Sequence, residues 1–176
     1  MADIRQTITD DQGLLRKLQN YIPGFRGYRR DENIRDADNF LRIQLANHLT
    51  QLTKDANTAR ETLANNYDIQ NIEKVGAVIL KLQALEPKVR HAEGGYSAMS
   101  TTLNVDEKEL NRLYEFDLSM FSFLAGLKEA INGITAASES GNSADVSMKT
   151  REALRLLGEF EATFNRRLVV MKNIEQ

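Results

Sequence analysis

Between residues 31 and 64, apolar side chains return every three or four positions, at Ile34, Leu41, Leu45, Leu49, Leu52, Ala56, Ala59 and Leu63, with Asp38 on the same line. That is the period of an α-helix with one buried face. At 1.5 Å per residue such a helix is about 50 Å long, too long for a compact globule to wrap. It needs partners of similar length, and so a rod-like bundle. Asp31 and Glu32 suit its first turn, where negative charge meets the positive end of the helix dipole.

The rest of the chain carries the same period, and no run of strict alternation is long enough for a strand. A short helix is expected over about 9–20, capped by Thr9 with Gln12 reaching back, its apolar face made by Leu14, Leu15 and Leu18. It should stop at Ile22-Pro23-Gly24. After a turn at Asn65-Asn66-Tyr67, Asp68 caps a helix over about 69–92 with Ile69, Ile72, Val75, Ile79, Leu82 and Val89 inward. Pro87 should kink or end that helix a turn before His91. Gly94-Gly95-Tyr96 breaks the chain, and the residues to Leu103 have no stripe. A helix over about 105–137, begun by a capping box of Asn104 and Glu107, carries Leu110, Leu113, Leu118, Phe121, Leu124, Leu127, Ile131 and Ile134. Ser138 to Ser143 reads as a linker. The last helix, about 144–174, carries Ala153, Leu157, Phe160, Phe164, Leu168 and Met171. Four long helices with short or moderate connections predict an all-α, elongated up-down four-helix bundle, one domain over 1–176, with a short extra N-terminal helix at one end. The stripes also fit heptads, which leaves part of one open to coiled-coil self-association as a homo-oligomer.

Composition narrows the function classes. A chain of 176 residues buries roughly 70% of its unfolded surface and needs no staple. It has no Cys, which removes thiolate metal sites, disulfides and Cys nucleophiles and makes a cytoplasmic location the expectation. The 23 Lys and Arg against 25 Asp and Glu give no overall nucleic-acid footprint. The first residues, MADIRQTITDDQGLL, lack a signal-peptide pattern. The longest apolar run, VGAVIL at 75–80, is far below the about 20 residues a membrane span needs.

The chemistry expected of a four-helix bundle is missing. A di-iron or di-manganese centre needs Glu-x-x-His pairs, but Leu45 precedes His48 by three positions and Lys88 precedes His91. No haem-attachment, P-loop, dinucleotide, zinc-protease or hydrolase motif occurs. No residue is singled out as a nucleophile, so no catalytic residue, metal or cofactor is expected, and an enzyme is disfavoured. His48, beside the apolar stripe, reads as a packed or half-buried histidine and not as a ligand.

Two segments stand out. In 21–42, YIPGFRGYRRDENIRDADNFLR, the rings of Tyr21, Phe25 and Tyr28 alternate with Arg26, Arg29 and Arg30, while Pro23, Gly24 and Gly27 enforce a non-helical lead into the long helix. Rings beside guanidinium forks can stack on bases and hold phosphate. The same rings can instead plug the bundle end while the arginines pair with acids. Acids are available in 104–118, NVDEKELNRLYEFDL, at Asp106, Glu107, Glu109, Glu115 and Asp117. Asp38 and Asp117 both fall on apolar stripes, and a buried carboxylate must be paired. Arg35 and Arg42 are the local candidates.

Together, PGFRGYRRDENIRDADNFLR at 23–42 and GGYSAMSTTLNVDEKELNRLYEFDL at 94–118 resemble a prokaryotic helical-bundle family marked by PGYxGY, ADxxLR and GY…RLYEFDL segments. Phe25 stands where that pattern has Tyr, and Asn111 where it has an acid. The resemblance covers about a quarter of the chain and brings no assigned activity. It implies that the two segments share one joint or site, with Tyr28, Arg35, Asp38, Tyr96, Tyr114 and Asp117 close together. It also implies association with membrane scaffolds of the SPFH type.

The leading expectation is a non-enzymatic protein-protein interaction or scaffold module acting with a protein partner, such as a membrane-associated scaffold, without membrane insertion. The alternative is an anion- or nucleic-acid-binding domain using the Arg/aromatic segment, residues 21–35. A third reading has Asp38 and Asp117 acting on a ligand.

Overall fold

The computed structural model of the protein describes residues 4–27, 34–92 and 107–174, with side chains over 13–27, 36–92 and 108–172. Five helices follow in order: α1 (Ile4–Tyr21), α2 (Ile34–Asn65), α3 (Ile69–Arg90), α4 (Glu107–Glu139) and α5 (Ser143–Ile174). The fold is an all-α up-down four-helix bundle of α2 to α5, with α1 as the extra helix. The expected break at Gly94-Gly95-Tyr96 and the capping box at Asn104 lie outside the described residues.

Each long helix buries most of the stripe that its sequence carries, with Ile72, Leu118 and Leu168 only half-buried. Leu41, Leu45, Leu49, Ala56 and Ala59 of α2, Leu113, Leu127, Ile131 and Ile134 of α4, and Ala153, Leu157, Phe160 and Phe164 of α5 are all at or below 1% exposure. In α3 the stripe runs through Val75, Val78, Leu82, Leu85 and Val89, whereas Ile69, expected inward, is 71% exposed because it sits in the first turn, beyond the last layer of the core.

Two antiparallel hairpins, α2–α3 and α4–α5, pack side by side. α2 lies against α3 and α4, α5 lies against α3 and α4, and the pairs α2/α5 and α3/α4 are diagonal among the described residues. The neighbours α2 and α4 therefore run the same way, as do α3 and α5.

Both hairpin turns use one device. Asp68 N–H donates to Leu63 O at 3.0 Å and Tyr67 N–H to Ala64 O at 3.1 Å; Asn142 N–H donates to Ala137 O at 2.9 Å and Gly141 N–H to Ser138 O at 3.1 Å. This paired closure ends a helix on a left-handed residue. The next residue then caps the following helix: Asp68 Oδ1 accepts from Asn71 N–H, and Asn142 Oδ1 from Asp145 N–H. The left-handed position is Gly141 at φ 69° in one turn and Tyr67 at φ 59° in the other. The turns are tied together as well. Asn66 Nδ2 donates to Ser138 O at 2.6 Å, Ser143 Oγ to Asp68 Oδ2 at 2.7 Å, and the buried Asn71 Nδ2 to both Asp68 Oδ2 and Ser143 O.

Two expected boundaries are corrected, the start of α1 and the 138–143 linker. α1 begins at Ile4, so Thr9 lies inside it and not at its cap. α3 runs over Ile69–Arg90, close to the expected 69–92; of the two effects expected of Pro87 it does not end the helix there, and His91 N–H still donates to Pro87 O. Ser138 belongs to α4 and Ser143 to α5, leaving a turn of only 140–142.

α1 packs on α4 through the buried Leu18 and Ile22, and Tyr21 stacks on Phe121 with ring centroids 5.7 Å apart. The chain then doubles back through Gly24 and Gly27, both at positive φ. At Gly27 a Cβ would stand 2.6 Å from the Tyr114 hydroxyl, so the backbone needs glycine there for space as well as for conformation.

The matched turns predict opposite signs for two substitutions. Tyr67→Gly relieves a left-handed residue with a Cβ and should raise the urea midpoint, a gain of about 1 kcal/mol. Gly141→Ala should lower stability by a similar amount, about 1 kcal/mol, in the same titration.

Candidate functional site

The elements bring four charges of opposite sign together inside the end of the bundle where α2 and α4 start and α3 and α5 finish. Arg167 of α5 is 0% exposed, Asp117 of α4 is 0%, and Asp38 and Arg42 of α2 are each 2%. The Arg167 guanidinium spans both carboxylates, Nε donating to Asp117 Oδ1 at 2.6 Å and Nη1 to Asp38 Oδ1 at 2.5 Å. The other Asp38 oxygen accepts from Arg42 Nε at 2.8 Å, one helical turn along. Arg42 Nη1 then donates to the Arg90 carbonyl at 2.9 Å, where the last turn of α3 leaves carbonyls without intrahelical partners. All four bundle helices are joined through one polar layer.

Its electrostatics follow from burial and pairing. Burial pushes the Asp38 carboxyl up, but the Arg167 charge and the hydrogen bond and charge of Arg42 outweigh it and hold the pKa below the ordinary 3.8. Two guanidinium ions and two carboxylates balance, and each guanidinium donates in its own plane, which a lysine could not do to two acceptors.

The sequence candidates separate into groups. Asp38, Arg42 and Asp117 meet in this layer. Arg35 lies in the first turn of α2, its side chain outside the described set, and Tyr28, Arg29, Arg30 and Tyr96 lie outside the described residues. Tyr114 is buried one turn before Asp117, next to Gly27. Phe25 is buried and stacks on Phe40 at 6.5 Å, while its carbonyl accepts from Gln19 Nε2 at 2.9 Å. It is a plug, not an open stacking platform. Arg26 is exposed. Asp117, the acid expected to face the basic segment, meets Arg167 of α5.

Arg167 is the residue that sequence reasoning missed. The α5 stripe continues from Phe164 to Arg167 and on to Met171, by steps of three and four, while Leu168 is only half-buried. An arginine at an apolar register position was the signal, the same one that singled out Asp38 and Asp117.

His48 packs edge-on against Phe121 at 5.7 Å, and partial burial, then the nearby Lys128 charge, lowers its pKa below 6.5. It borders a groove of about 180 Å³ between α2 and α4, with Tyr21, Leu52, Phe121, Leu124 and Lys128. Neither Asp38 nor Asp117 lines that groove. Among the described residues no group of three His, Asp or Glu side chains is placed to hold a metal ion, and no helix is long and apolar enough to cross a membrane.

Arg167→Met should leave two buried carboxylates short of their shared donor, lowering stability by about 3–5 kcal/mol in urea unfolding at pH 7. The unfolded chain binds the Asp38 proton more readily than the fold does, so its contribution is whole at neutral pH and is lost as pH falls through 3.8 and below. Urea midpoints between pH 7 and pH 3 should show this decline, and it should be shallower in Asp38→Asn.

Comparison of the chain with protein-family models, curated proteins and solved structures found no match, so the likeness of its two segments rests on their motifs and the geometry above carries the functional reading.

Proposed function

We propose that the chain is a non-enzymatic interaction module that engages a protein partner through the tip where its hairpins turn. The observation that carries this reading is Tyr67. It is 87% exposed, holds a left-handed conformation that the equivalent position of the second turn gives to glycine, and is followed by the exposed Ile69. A bulky ring there costs stability and packs little inside the chain, which is the signature of a position kept for contact outside it. Tyrosine suits that role, supplying contact area with few rotatable bonds.

The buried layer supports the same reading from the other end. Its charged groups bond one another across the helices, an arrangement that fixes structure. The alternative, anion or nucleic-acid binding by residues 21–35, has the exposed Arg26 in its favour, but Phe25 gives its face to Phe40 and Tyr21 stacks on Phe121.

The partner class suggested by the family resemblance is a membrane-associated scaffold of the SPFH type. Tagged protein expressed in its own host should co-purify such a scaffold. Tyr67→Gly, folded and at least as stable as the parent, should lose it, and Arg26→Ala should keep it. Retention by Tyr67→Gly would remove the tip from the account. Salt-sensitive binding to RNA or anionic vesicles that Arg26→Ala weakens would favour the alternative.

A further inference from the structure

The hairpins present apolar faces that can meet in two ways. Turning α4–α5 by half a turn about the normal to its inner face keeps apolar side chains against apolar side chains. It also exchanges the places of α4 and α5 and sends the 140–142 turn to the opposite end. Connectivity does not forbid this, because the fifteen steps from Ala92 to Glu107 span up to about 50 Å, close to the length of the long helices. The turned packing still sets apolar against apolar, but fills the core less well, because the larger side chains, Phe121, Phe160 and Phe164, lie toward the charged layer and the smaller ones, Ala137, Val146 and Ala153, toward the turn.

The buried charges are not indifferent. Within the layer, Asp38–Arg42 and Arg42–Arg90 O belong to α2–α3, and Asp117–Arg167 belongs to α4–α5. The Arg167–Asp38 bond joins the hairpins, reaching across the bundle diagonal from α5 to α2 at 2.5 Å. In the turned arrangement each half of the layer would face the apolar residues of the other hairpin's turn end, Ala137 and Val146 on one side, Leu63 and Val75 on the other. A buried guanidinium and carboxylate would each lose a partner with no water to replace it. Of the polar links at the turns, Asn66 to Ser138 and Ser143 to Asp68 lie nearer solvent, and water replaces them at little cost, while the buried Asn71, which also bonds Ser143 O, is a neutral amide that keeps Asp68 Oδ2 on its own hairpin. The largest cost of turning therefore falls on the buried charged layer.

We infer that the Arg167–Asp38 bond is an orientation lock: it selects the packing with both turns at one end, a role a purely apolar layer would not fill. This uses the best-attested function of buried polar groups, the fixing of register in helical assemblies.

The chain has no cysteine, so two introduced cysteines can carry spin labels without background. Ala64→Cys and Glu139→Cys lie exposed beside the two turns. In the otherwise native protein, pulsed dipolar spectroscopy should give a single short distance. In Asp38→Leu/Arg42→Met/Asp117→Leu/Arg167→Met, helical by circular dichroism, a second population should appear near the bundle length, about 45 Å. Should that variant fail to fold, Asp117→Leu/Arg167→Met, which removes the cross-hairpin bond and leaves the Asp38–Arg42 pair, gives the same reading. A single short distance in a folded variant lacking the bond, or two distances in the native background, would overturn the lock.

Discussion

A guanidinium held between two carboxylates in a dry helical core sets the terms for the rest of this molecule. Moving such charges out of water is costly, and the layer persists because its guanidinium and carboxylate groups sit within hydrogen-bond reach of one another. Arg167 needs Asp117 from the neighbouring helix and Asp38 from the diagonal one. Arg42 needs Asp38 on its own helix and a carbonyl at the end of α3. These requirements can be met together only when four helix ends converge, so the layer works as a constraint on assembly more than as a source of net stability.

The opposite end is built on another principle. There the helices close through backbone geometry, a left-handed residue followed at once by a side-chain cap, used twice. Solvent reaches these bonds, so each contributes little and no single one is decisive. Because the turns are nearly identical, the departure at Tyr67 is easy to see: a left-handed residue there carries an exposed ring. The bundle thus has an end with a buried charged layer and a tip with exposed apolar side chains, joined by about 45 Å of largely apolar core.

Much of this was legible in the sequence, for a physical reason. Helical burial writes itself as a period, so the stripes of α2, α4 and α5 and the all-α class followed directly. Asp38 and Asp117 stood out because they broke that period, and pairing was demanded by the cost of buried charge. Arg167 did not stand out because Phe164, Leu168 and Met171 offered an unbroken apolar path beside the true one. Thr9 has the chemistry of a cap, but the helix continues to Ile4 and leaves it internal. Tyr67 was readable as a turn residue but not as a left-handed one, since tyrosine carries no preference for that region and only the backbone reveals it. Ile69 looked like core because periodicity does not say where the core stops.

The central claim is that Arg167 and Asp38 are energetically coupled across the bundle. A double-mutant cycle with Asp38→Asn, Arg167→Met and the double variant, read by urea unfolding at pH 7, tests it most directly. The coupling energy should lie well above the about 0.5 kcal/mol within which independent sites add, toward the upper part of the roughly 0.5–3 kcal/mol range seen for residues in one network. Additivity within about 0.5 kcal/mol would contradict it.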